Sequence, residues 1–503
     1  MDIFGGLLFG LKSVLHVDTL FYCFVGVTIG TLVGVLPGIG PIGAMSILLP
    51  ATFGISPATA IIMLAGIYYG AMYGGSTTSI LVNIPGEAAS VVTCLDGYQM
   101  AKKGRAGPAL GISAIGSFIG GTLSVVALMF VAVPLANVGL RFGPPEFFAL
   151  MCLSMSLISY LARGSTFNAV LMIFLGLILG TVGMDPITGF PRFYFGSTTL
   201  LDGIGLIPVA MGLFGISEIL MNIELKARSV LEAKIRNIFP TLEDWRRSIG
   251  PILRGSVLGF FFGLLPGGGA VIPTFVSYSV EKRLSKHPEE FGKGAIEGVA
   301  GPETANNAGS TGAFVPMLAL GIPPNPILAI LLGALMIHGV QAGPLLMQKN
   351  PEIFWGVIAS MYVGNIMLLI LNLPLIGLWI RILKIPYRLL MPLILLFCLV
   401  GCYAVNSNPT EIVIMIVFGF IGYVLRRCGY ELAPLIIAMI LGPIMEANFR
   451  NSLIMSDGSF RIFVTRPISA TLLFAAGLLF LSSGFSAYRK AKKRVIELVG
   501  DED

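Results

Sequence analysis

Long apolar runs recur along nearly the whole chain, and this pattern constrains the fold more than any other feature. A helix needs roughly 20 residues to cross the hydrocarbon core of a bilayer, and many of the runs approach that length. Only 12% of the 503 residues are charged, against about 25% in a typical soluble domain. The chain therefore cannot supply the polar surface of a soluble fold. We predict an all-α polytopic membrane protein of about 12 spans.

Charged residues concentrate in short stretches between the apolar runs. The stretch from 223 to 249 predicts a linker with an amphipathic helix at the membrane surface. A second basic stretch, Arg489 to Arg494, follows the last apolar run, and the positive-inside rule places both stretches in the cytoplasm. We therefore divide the chain into a first transmembrane repeat (1–222), a cytoplasmic linker (223–249), a second transmembrane repeat (250–487) and a cytoplasmic tail (488–503).

The term repeat rests on three short motifs that occur twice, in the same order and at nearly constant intervals. They pair Gly34–Pro41 with Gly263–Ala270, Gly75–Thr77 with Gly309–Thr311, and Ile84–Pro85 with Ile322–Pro323. Three ordered matches with so little drift indicate an internal duplication. We favour inverted repeats over parallel ones. Duplicated halves with glycine- and proline-interrupted apolar segments are typical of secondary transporters, in which broken helices and re-entrant hairpins form the binding site.

The motif residues are therefore the candidate ligands of an anion and of its coupling cations. We expect the apolar segment before the first triplet to end near residue 73 and to leave open backbone beyond it. A broken helix offers N–H groups to an anion and carbonyl oxygens to cations, and hydroxyl and amide side chains extend both sets. The candidate substrate-binding residues are Gly75, Ser76, Thr77, Thr78, Pro85, Asn306, Asn307, Gly309, Ser310, Thr311 and Pro323. The candidate cation-binding residues, through backbone or hydroxyl oxygens, are Gly38, Gly40, Gly267, Gly269 and Asn83.

Each of these motifs also has a purely structural explanation. A Leu-Pro-Gly sequence can be a helix kink, and Ser or Thr in a membrane helix often bonds its own backbone or packs closely against a neighbour. Buried acidic residues can be ion or proton ligands, or charges at segment ends. The acidic candidates are Glu87, Glu146, Asp185, Glu303 and Glu446. His338 is better explained as a buried structural histidine than as a proton relay.

The motifs together resemble those of the tripartite tricarboxylate transporter family, large membrane subunit. The resemblance extends from the Gly34–Pro41 and Tyr73–Thr78 blocks, through Gly263–Ala270 and Tyr278, to Glu297–Glu303 and Asn306-Asn307. It implies a permease of the bacterial inner membrane that works with a small membrane subunit and a periplasmic solute-binding protein. It also implies citrate-like or related carboxylate substrates, a Na⁺ or proton gradient, an elevator-like motion and no cofactor.

Two other classes of function remain open from the residues alone. A membrane channel would also explain polar breaks in apolar helices. An intramembrane enzyme is a weaker alternative, because the sequence has no H-E-x-x-H and no G-x-S-x-G motif, which are signatures of common hydrolases. Saturable flux that follows an ion gradient would distinguish a transporter from a channel, and product formation in detergent would identify an enzyme.

Overall fold

The computed structural model describes residues 2–36, 40–162, 165–185, 187–223, 237–267, 269–383 and 387–482. This part of the chain is almost entirely helical, and seven of its helices are long and apolar enough to cross a membrane. The predicted all-α polytopic membrane fold is therefore confirmed. The number of about 12 spans stays a prediction, since six further apolar helices have only 10–17 residues.

Ten α-helices lie in the described part of the chain up to Ile223. They are α1 Ile3–Val14, α2 Val17–Val35, α3 Gly40–Leu48, α4 Pro57–Val82, α5 Val91–Lys102, α6 Ala106–Gly139, α7 Pro144–Leu161, α8 Thr166–Gly180, α9 Leu206–Ala210 and α10 Ser217–Ile223. Short helical turns of other types lie at Pro50–Thr52, Ala88–Ser90, Thr198–Asp202 and Met211–Ile216. In the described residues one small antiparallel sheet pairs β1 Gly183–Met184 with β2 Pro191–Arg192.

Thirteen α-helices lie in the described residues that follow Pro240. They are α11 Leu242–Gly263, α12 Val271–Leu284, α13 Glu297–Gly312, α14 Phe314–Leu320, α15 Pro326–Ile337, α16 Leu346–Lys349, α17 Pro351–Asn372, α18 Ile376–Leu383, α19 Tyr387–Asn406, α20 Pro409–Arg427, α21 Ala433–Met455, α22 Ile462–Thr465 and α23 Pro467–Ser482. A 3₁₀ turn lies at Pro288–Glu290.

Helix α11 begins inside the predicted linker, at Leu242. Thr241 caps it, since its hydroxyl accepts from Asp244 N at 3.2 Å while the Asp244 carboxylate accepts from Thr241 N at 3.0 Å. Such a capping box satisfies two of the N–H groups that a helix start leaves unpaired. The helix is thus continuous across residue 250, and the predicted boundary does not coincide with a helix end. The predicted amphipathic helix falls mainly on residues 224–236 and the tail on 488–503, both outside the described residues.

The described residues form two compact units. One consists of residues from 1–140 and 207–423, and the other of residues from 141–206 and 424–503. In the second unit, α21 packs on α7 and α8, and Phe148 packs against Phe449 and Phe463. Each unit combines segments from both predicted repeats, so the compact units do not follow the sequence division. All residues of the candidate site belong to the first unit.

Two stripes of glycine hold the main helix pairs of the first unit together. The stripes are Gly26, Gly30 and Gly34 on α2, and Gly255, Gly259 and Gly263 on α11. An added Cβ would come within 2.2–2.5 Å of a carbonyl oxygen of α4 in the first stripe, and within 2.3–2.6 Å of one of α13 in the second. Small residues at this spacing permit close helix packing in membranes. The stripes are equally spaced, so the α2–α4 and α11–α13 pairs correspond.

The contacts of the two stripes establish which residues of α4 and α13 are equivalent. The stripe on α2 meets Met63, Ile67 and Ala71, and the stripe on α11 meets Gly301, Ala305 and Gly309. Gly309 thus corresponds to Ala71, one helical turn before Gly75. The predicted equivalence of the two Gly-Ser-Thr triplets is therefore wrong by one turn. A shift of one turn returns small residues to the same helix face, so the sequence match could not reveal it. The two Ile-Pro pairs are separated by the same number of residues as Ala71 and Gly309. These two pairs are therefore equivalent, as predicted.

Candidate functional site

Two of the hydrogen bonds between the first and second repeats are related by the internal duplication. Asn306 Nδ2 donates to Glu87 Oε1 at 3.1 Å, and Asn325 Nδ2 donates to the Tyr68 hydroxyl at 3.0 Å. Tyr68 and Asn306 are separated along the sequence by the same number of residues as the two Ile-Pro pairs, and so are Glu87 and Asn325. Asn306 is therefore equivalent to Tyr68, and Asn325 to Glu87. Exchanging each residue for its counterpart converts one bond into the other, which is the pattern of contacts about a two-fold axis.

The segments that carry Glu87 and Asn325 have the same construction. We call residues 83–90 the first tip and residues 321–328 the second tip. The first tip begins with Asn83 in the left-handed conformation at φ 57°, and the second with Gly321 at φ 75°. An Ile-Pro pair follows in each, and then the side chain of Glu87 or Asn325 accepts a hydrogen bond from the first turn of the next helix. The tips are thus equivalent turns that end one helix and start another.

Glu303 is a second buried carboxylate in the same region as Glu87. We call these two central carboxylates and the side chains hydrogen-bonded around them the polar centre. It lies within α13 and is 1% exposed. The hydroxyls of Ser76 and Thr93 donate to its two carboxylate oxygens. Among the described residues, no Lys, Arg or His forms an ion pair or hydrogen bond with either Glu87 or Glu303. Two buried carboxyl groups thus lie in one region with neutral donors, and no cationic side chain among the described residues would compensate a negative charge on either.

The predicted substrate triplets lie inside helices. Gly75, Ser76, Thr77 and Thr78 belong to α4, which continues to Val82, and Gly309, Ser310 and Thr311 belong to α13. The predicted end of the first segment near residue 73, with open backbone beyond it, is therefore wrong. The physical reason is that Gly74 and Gly75 pack against Gly34 of α2, so glycine here provides close helix contact and does not break the helix.

Several of the predicted hydroxyl ligands bond their own helix. Thr78 Oγ1 donates to Gly75 O at 2.9 Å, and Ser310 Oγ donates to Asn307 O at 2.9 Å. Ser76 differs, because its hydroxyl reaches Glu303. Asn307 donates to Ser117 Oγ at 2.7 Å on α6. Of the polar candidates, Ser76 and Asn306 therefore reach the central carboxylates.

The predicted prolines and three of the predicted cation ligands lie in or beside the tips. Pro85 and Asn83 belong to the first tip, and Pro323 to the second. Gly267 N donates to Pro324 O at 2.8 Å, and a Cβ added at Gly269 would lie 3.7 Å from Asn325 Cβ, so both glycines adjoin the second tip. Gly40 is the first residue of α3. Gly38 lies outside the described residues. Ligation by these residues stays a prediction.

The other acidic candidates are paired with arginine in the second unit. The ion pairs are Arg450–Asp185 at 2.6 Å, Arg192–Glu446 at 2.7 Å and Arg466–Glu146 at 2.8 Å. The hydrogen bond from Arg450 lowers the pKa of the Asp185 carboxyl below its ordinary value. These three carboxylates are therefore compensated structural charges.

His338 lies in the first unit, away from the central carboxylates. Its Nε2 lies 3.1 Å from Thr52 Oγ1, and its ring packs edge-on against Phe53. The Thr52 hydroxyl already donates its proton to Leu49 O at 2.6 Å, so it accepts from Nε2. These contacts fit a structural histidine, but the side chain is half-buried and not buried as predicted.

Sequence reasoning missed four residues of the centre: Tyr68, Thr93, Asn325 and Ser117. One signal could have found Asn325. It precedes Pro326 at the start of an apolar run, as a helix cap often does, and it lies as far from Glu87 as the second Ile-Pro pair lies from the first. The other three carry no such signal, because their contacts depend on which helices pack together.

Comparison with known proteins gives consistent matches. The model of the family described as "Tripartite tricarboxylate transporter TctA family" matches residues 20–437. A relative from Agrobacterium vitis, the "Uncharacterized 52.8 kDa protein in TAR-I ttuC' 3'region", is 52% identical over 479 residues, 95% of each chain. The A. vitis "Uncharacterized protein in TAR-II ttuC' 3'region" is 54% identical over 215 residues, which are 43% of this chain and 89% of that protein. No solved structure matches the chain.

Proposed function

The chain belongs to the tripartite tricarboxylate transporter TctA family, and we propose that it is the large permease subunit of a binding-protein-dependent secondary transporter. The proposed substrates are citrate-like tricarboxylates or related carboxylates. The observation that carries the proposal is the pair of duplication-related hydrogen bonds, Glu87 with Asn306 and Tyr68 with Asn325. Two equivalent tips around one buried polar centre are the arrangement from which alternating access is built in transporters with internal repeats.

We place the substrate carboxylates at the first turns of α3 and α12. Both helices follow a glycine-rich break. Within the described ranges no side chain caps α12, so its first N–H groups can bind an anion, and the helix dipole favours negative charge there. Gly267 and Gly269 hold positive φ values of 87° and 50°, a conformation that glycine adopts at little cost and that lets a ligand approach the backbone.

The subunit works in this proposal with a small membrane subunit and a periplasmic solute-binding protein, the other two components of a tripartite system. A Na⁺ or proton gradient drives import by an elevator-like motion of one part of the protein against the rest. The absence of a cationic partner for Glu87 and Glu303 among the described residues supports cation coupling, because an inward-moving cation would compensate their charge. The linker and the C-terminus face the cytoplasm of a bacterial inner membrane.

Uptake of labelled citrate into proteoliposomes tests the proposal. The vesicles hold this chain and its small membrane partner, with purified binding protein outside, and the Na⁺ and proton gradients are imposed separately. We expect saturable uptake that needs the binding protein and one of the gradients. Uptake of another dicarboxylate or tricarboxylate in place of citrate would keep the function and change the substrate.

Two results would contradict the proposal. Flux that does not saturate and that proceeds without any gradient would identify a channel. The vesicles must hold protein that size-exclusion chromatography shows to be folded. If such vesicles take up no carboxylate under either gradient, carboxylate transport is excluded. A matched control omits only the binding protein, so leakage and surface adsorption are subtracted directly.

A further inference from the structure

A small polar cavity lies between α4, α6 and the end of α17, next to Ser76, which donates to the Glu303 carboxylate. It has room for one water-sized occupant. Its lining consists of Tyr73, Ser76 and Thr77 from α4, Leu110, Ser113 and Ala114 from α6, and Asn372 from α17. Neither the proposed substrate position nor the two tips use this cavity.

Two oxygen atoms in the cavity wall have no hydrogen-bond partner. They are the Tyr73 hydroxyl and Asn372 Oδ1, on residues only 3% and 4% exposed, and both are unpaired within the described part of the chain. The orientation of the Asn372 amide is fixed, since its Nδ2 donates to Leu368 O at 2.9 Å. A flipped amide would bring two oxygens together. Leaving a buried polar atom unpaired costs free energy, so two of them around one cavity indicate a bound ligand.

The charge around the cavity distinguishes a cation from a water molecule. Ser76 lines the cavity and donates its proton to Glu303, so the lone pairs of its oxygen stay available. Water would satisfy Tyr73 and Asn372 but would supply no positive charge to the Glu303 carboxylate. A cation would satisfy both oxygens and also the charge. The polar wall atoms are hydroxyl and amide oxygens, which are ligands for hard cations.

We propose that this cavity binds one Na⁺ ion, with Tyr73, Asn372 and Ser76 as oxygen ligands and Glu303 as the compensating charge. One carboxylate and one water-sized space favour a single small monovalent ion, whereas protein sites for Ca²⁺ use six to eight oxygens and often several carboxylates. The inference rests on the proposed transport function and deepens it by naming the coupling ion and its site. The binding event itself needs no transport and can be measured alone.

Binding of ²²Na⁺ to the purified full-length chain, in choline chloride without K⁺, tests the site. We expect saturable binding by the wild type, an apparent Kd at least tenfold higher for Tyr73→Phe, and no saturable binding by Glu303→Gln. Tyr69→Phe is the matched control. Tyr69 is buried on the same helix, but its hydroxyl already donates to Ser360 O at 3.2 Å, so the Kd should stay within twofold.

Thermal melting separates a ligand from a merely structural hydroxyl. Without Na⁺, Tyr73→Phe should melt at or above the wild-type temperature, because it removes an unpaired buried group. At a Na⁺ concentration near the wild-type Kd, added Na⁺ should raise the melting temperature of the wild type and of Tyr69→Phe, but hardly that of Tyr73→Phe, whose Kd is higher. Equal Na⁺ responses in all three proteins, or no response in any, would overturn the site.

The two proposals can fail separately. Proton-driven citrate uptake by a protein that binds no Na⁺ would exclude the cation site and leave the transport function intact. Saturable Na⁺ binding at this cavity without uptake of any carboxylate would support the cation site and exclude the proposed transport function.

Discussion

The first and second tips share one backbone design but differ in charge. In both, a residue in the left-handed conformation ends a helix, an Ile-Pro pair follows, and a side chain caps the next helix while it bonds the other repeat. The capping residue is Glu87 in the first tip and Asn325 in the second. The two tips therefore share the same hydrogen-bonding geometry, but only the first tip has a carboxylate at this position.

The same difference separates α13 from α4. Glu303 lies on α13, and the residue at the equivalent position of α4 is Ala65. Both central carboxylates therefore lack an acidic counterpart in the other repeat. Since the second tip has the same geometry with an amide, and α4 packs as α13 does with an alanine, neither shared feature requires a carboxylate. We infer that they serve the ion chemistry of the site. The predictions below break or sharpen this comparison, from the largest expected effect to the smallest.

The first prediction concerns the packing on which the first tip depends. A Cβ at Gly86 would lie 2.1 Å from Gly34 O and 2.5 Å from Gly75 Cα, and backbone atoms cannot move away easily. We expect Gly86→Ala to destabilise the protein by about 3 kcal/mol or more and to abolish the folded peak in fluorescence-detected size-exclusion chromatography. The counterpart is Pro324→Ala, which retains the carbonyl that accepts from Gly267 and should keep the peak. Equal profiles would mean that the first tip is loosely packed.

The second prediction makes the two tips alike in charge. In Glu87→Gln the amide oxygen can still accept from Ala89 N. Asn306 can turn its Oδ1, which has no partner among the described residues, toward the new Nε2 donor. The fold should persist, with a melting temperature close to that of the wild type. Citrate uptake should fall at least tenfold, because the fixed negative charge is lost.

Asn325→Asp places the opposite charge change in the second tip and serves as the reciprocal variant. Combined with Glu87→Gln it moves the carboxylate from one tip to the other. If the double variant transported normally, the position of the charge would not matter, and the inferred specialisation of the first tip would be wrong. The measurements are initial uptake rate and melting temperature of each variant in the same proteoliposome preparation.

Local sequence patterns predicted part of this comparison, and helix packing decided the rest. The breaks between α2 and α3 and between α11 and α12 follow from Pro and Gly in an apolar run. Two things could not be predicted. The Gly74-Gly75-Ser76 stretch has low helix propensity yet is helical, because its glycines permit contact with α2. The bond from Ser76 to Glu303 joins residues 227 positions apart and depends on how α4 and α13 pack.

The third prediction compares the two hydrogen bonds between the repeats. Asn306→Ala removes a donor to a carboxylate, whereas Tyr68→Phe removes a neutral acceptor of the Asn325 amide. Hydrogen bonds to charged groups contribute about 1.5–3 kcal/mol and neutral ones about 1 kcal/mol. We expect Asn306→Ala to lower the melting temperature more than Tyr68→Phe does. The reverse order would indicate that Glu87 is protonated and uncharged in the folded protein.

The fourth prediction concerns the ion pairs of Arg247 near the beginning of α11, outside the seven helices that could cross a membrane. Arg247 hydrogen-bonds Glu290 and Glu297, and Arg247 lowers the pKa of the Glu290 carboxyl below 4.5. The pair therefore stabilises the fold above pH 4.5, and this contribution disappears as the pH falls through the lowered pKa. Because the Glu290 side chain is 42% exposed, the effect should not exceed about 0.5 kcal/mol.

Glu290→Gln tests this pair by thermal melting from pH 7 down to about pH 2, below the lowered pKa. We expect a small decrease in melting temperature at pH 7 that shrinks toward zero below pH 4.5. Glu289→Gln is the matched control. The Glu289 carboxylate is 67% exposed and pairs with His287 at 3.5 Å, so the substitution should change little at either pH. A decrease that persisted at the lowest pH would show that Glu290 acts through packing, and that its charge contributes nothing to stability.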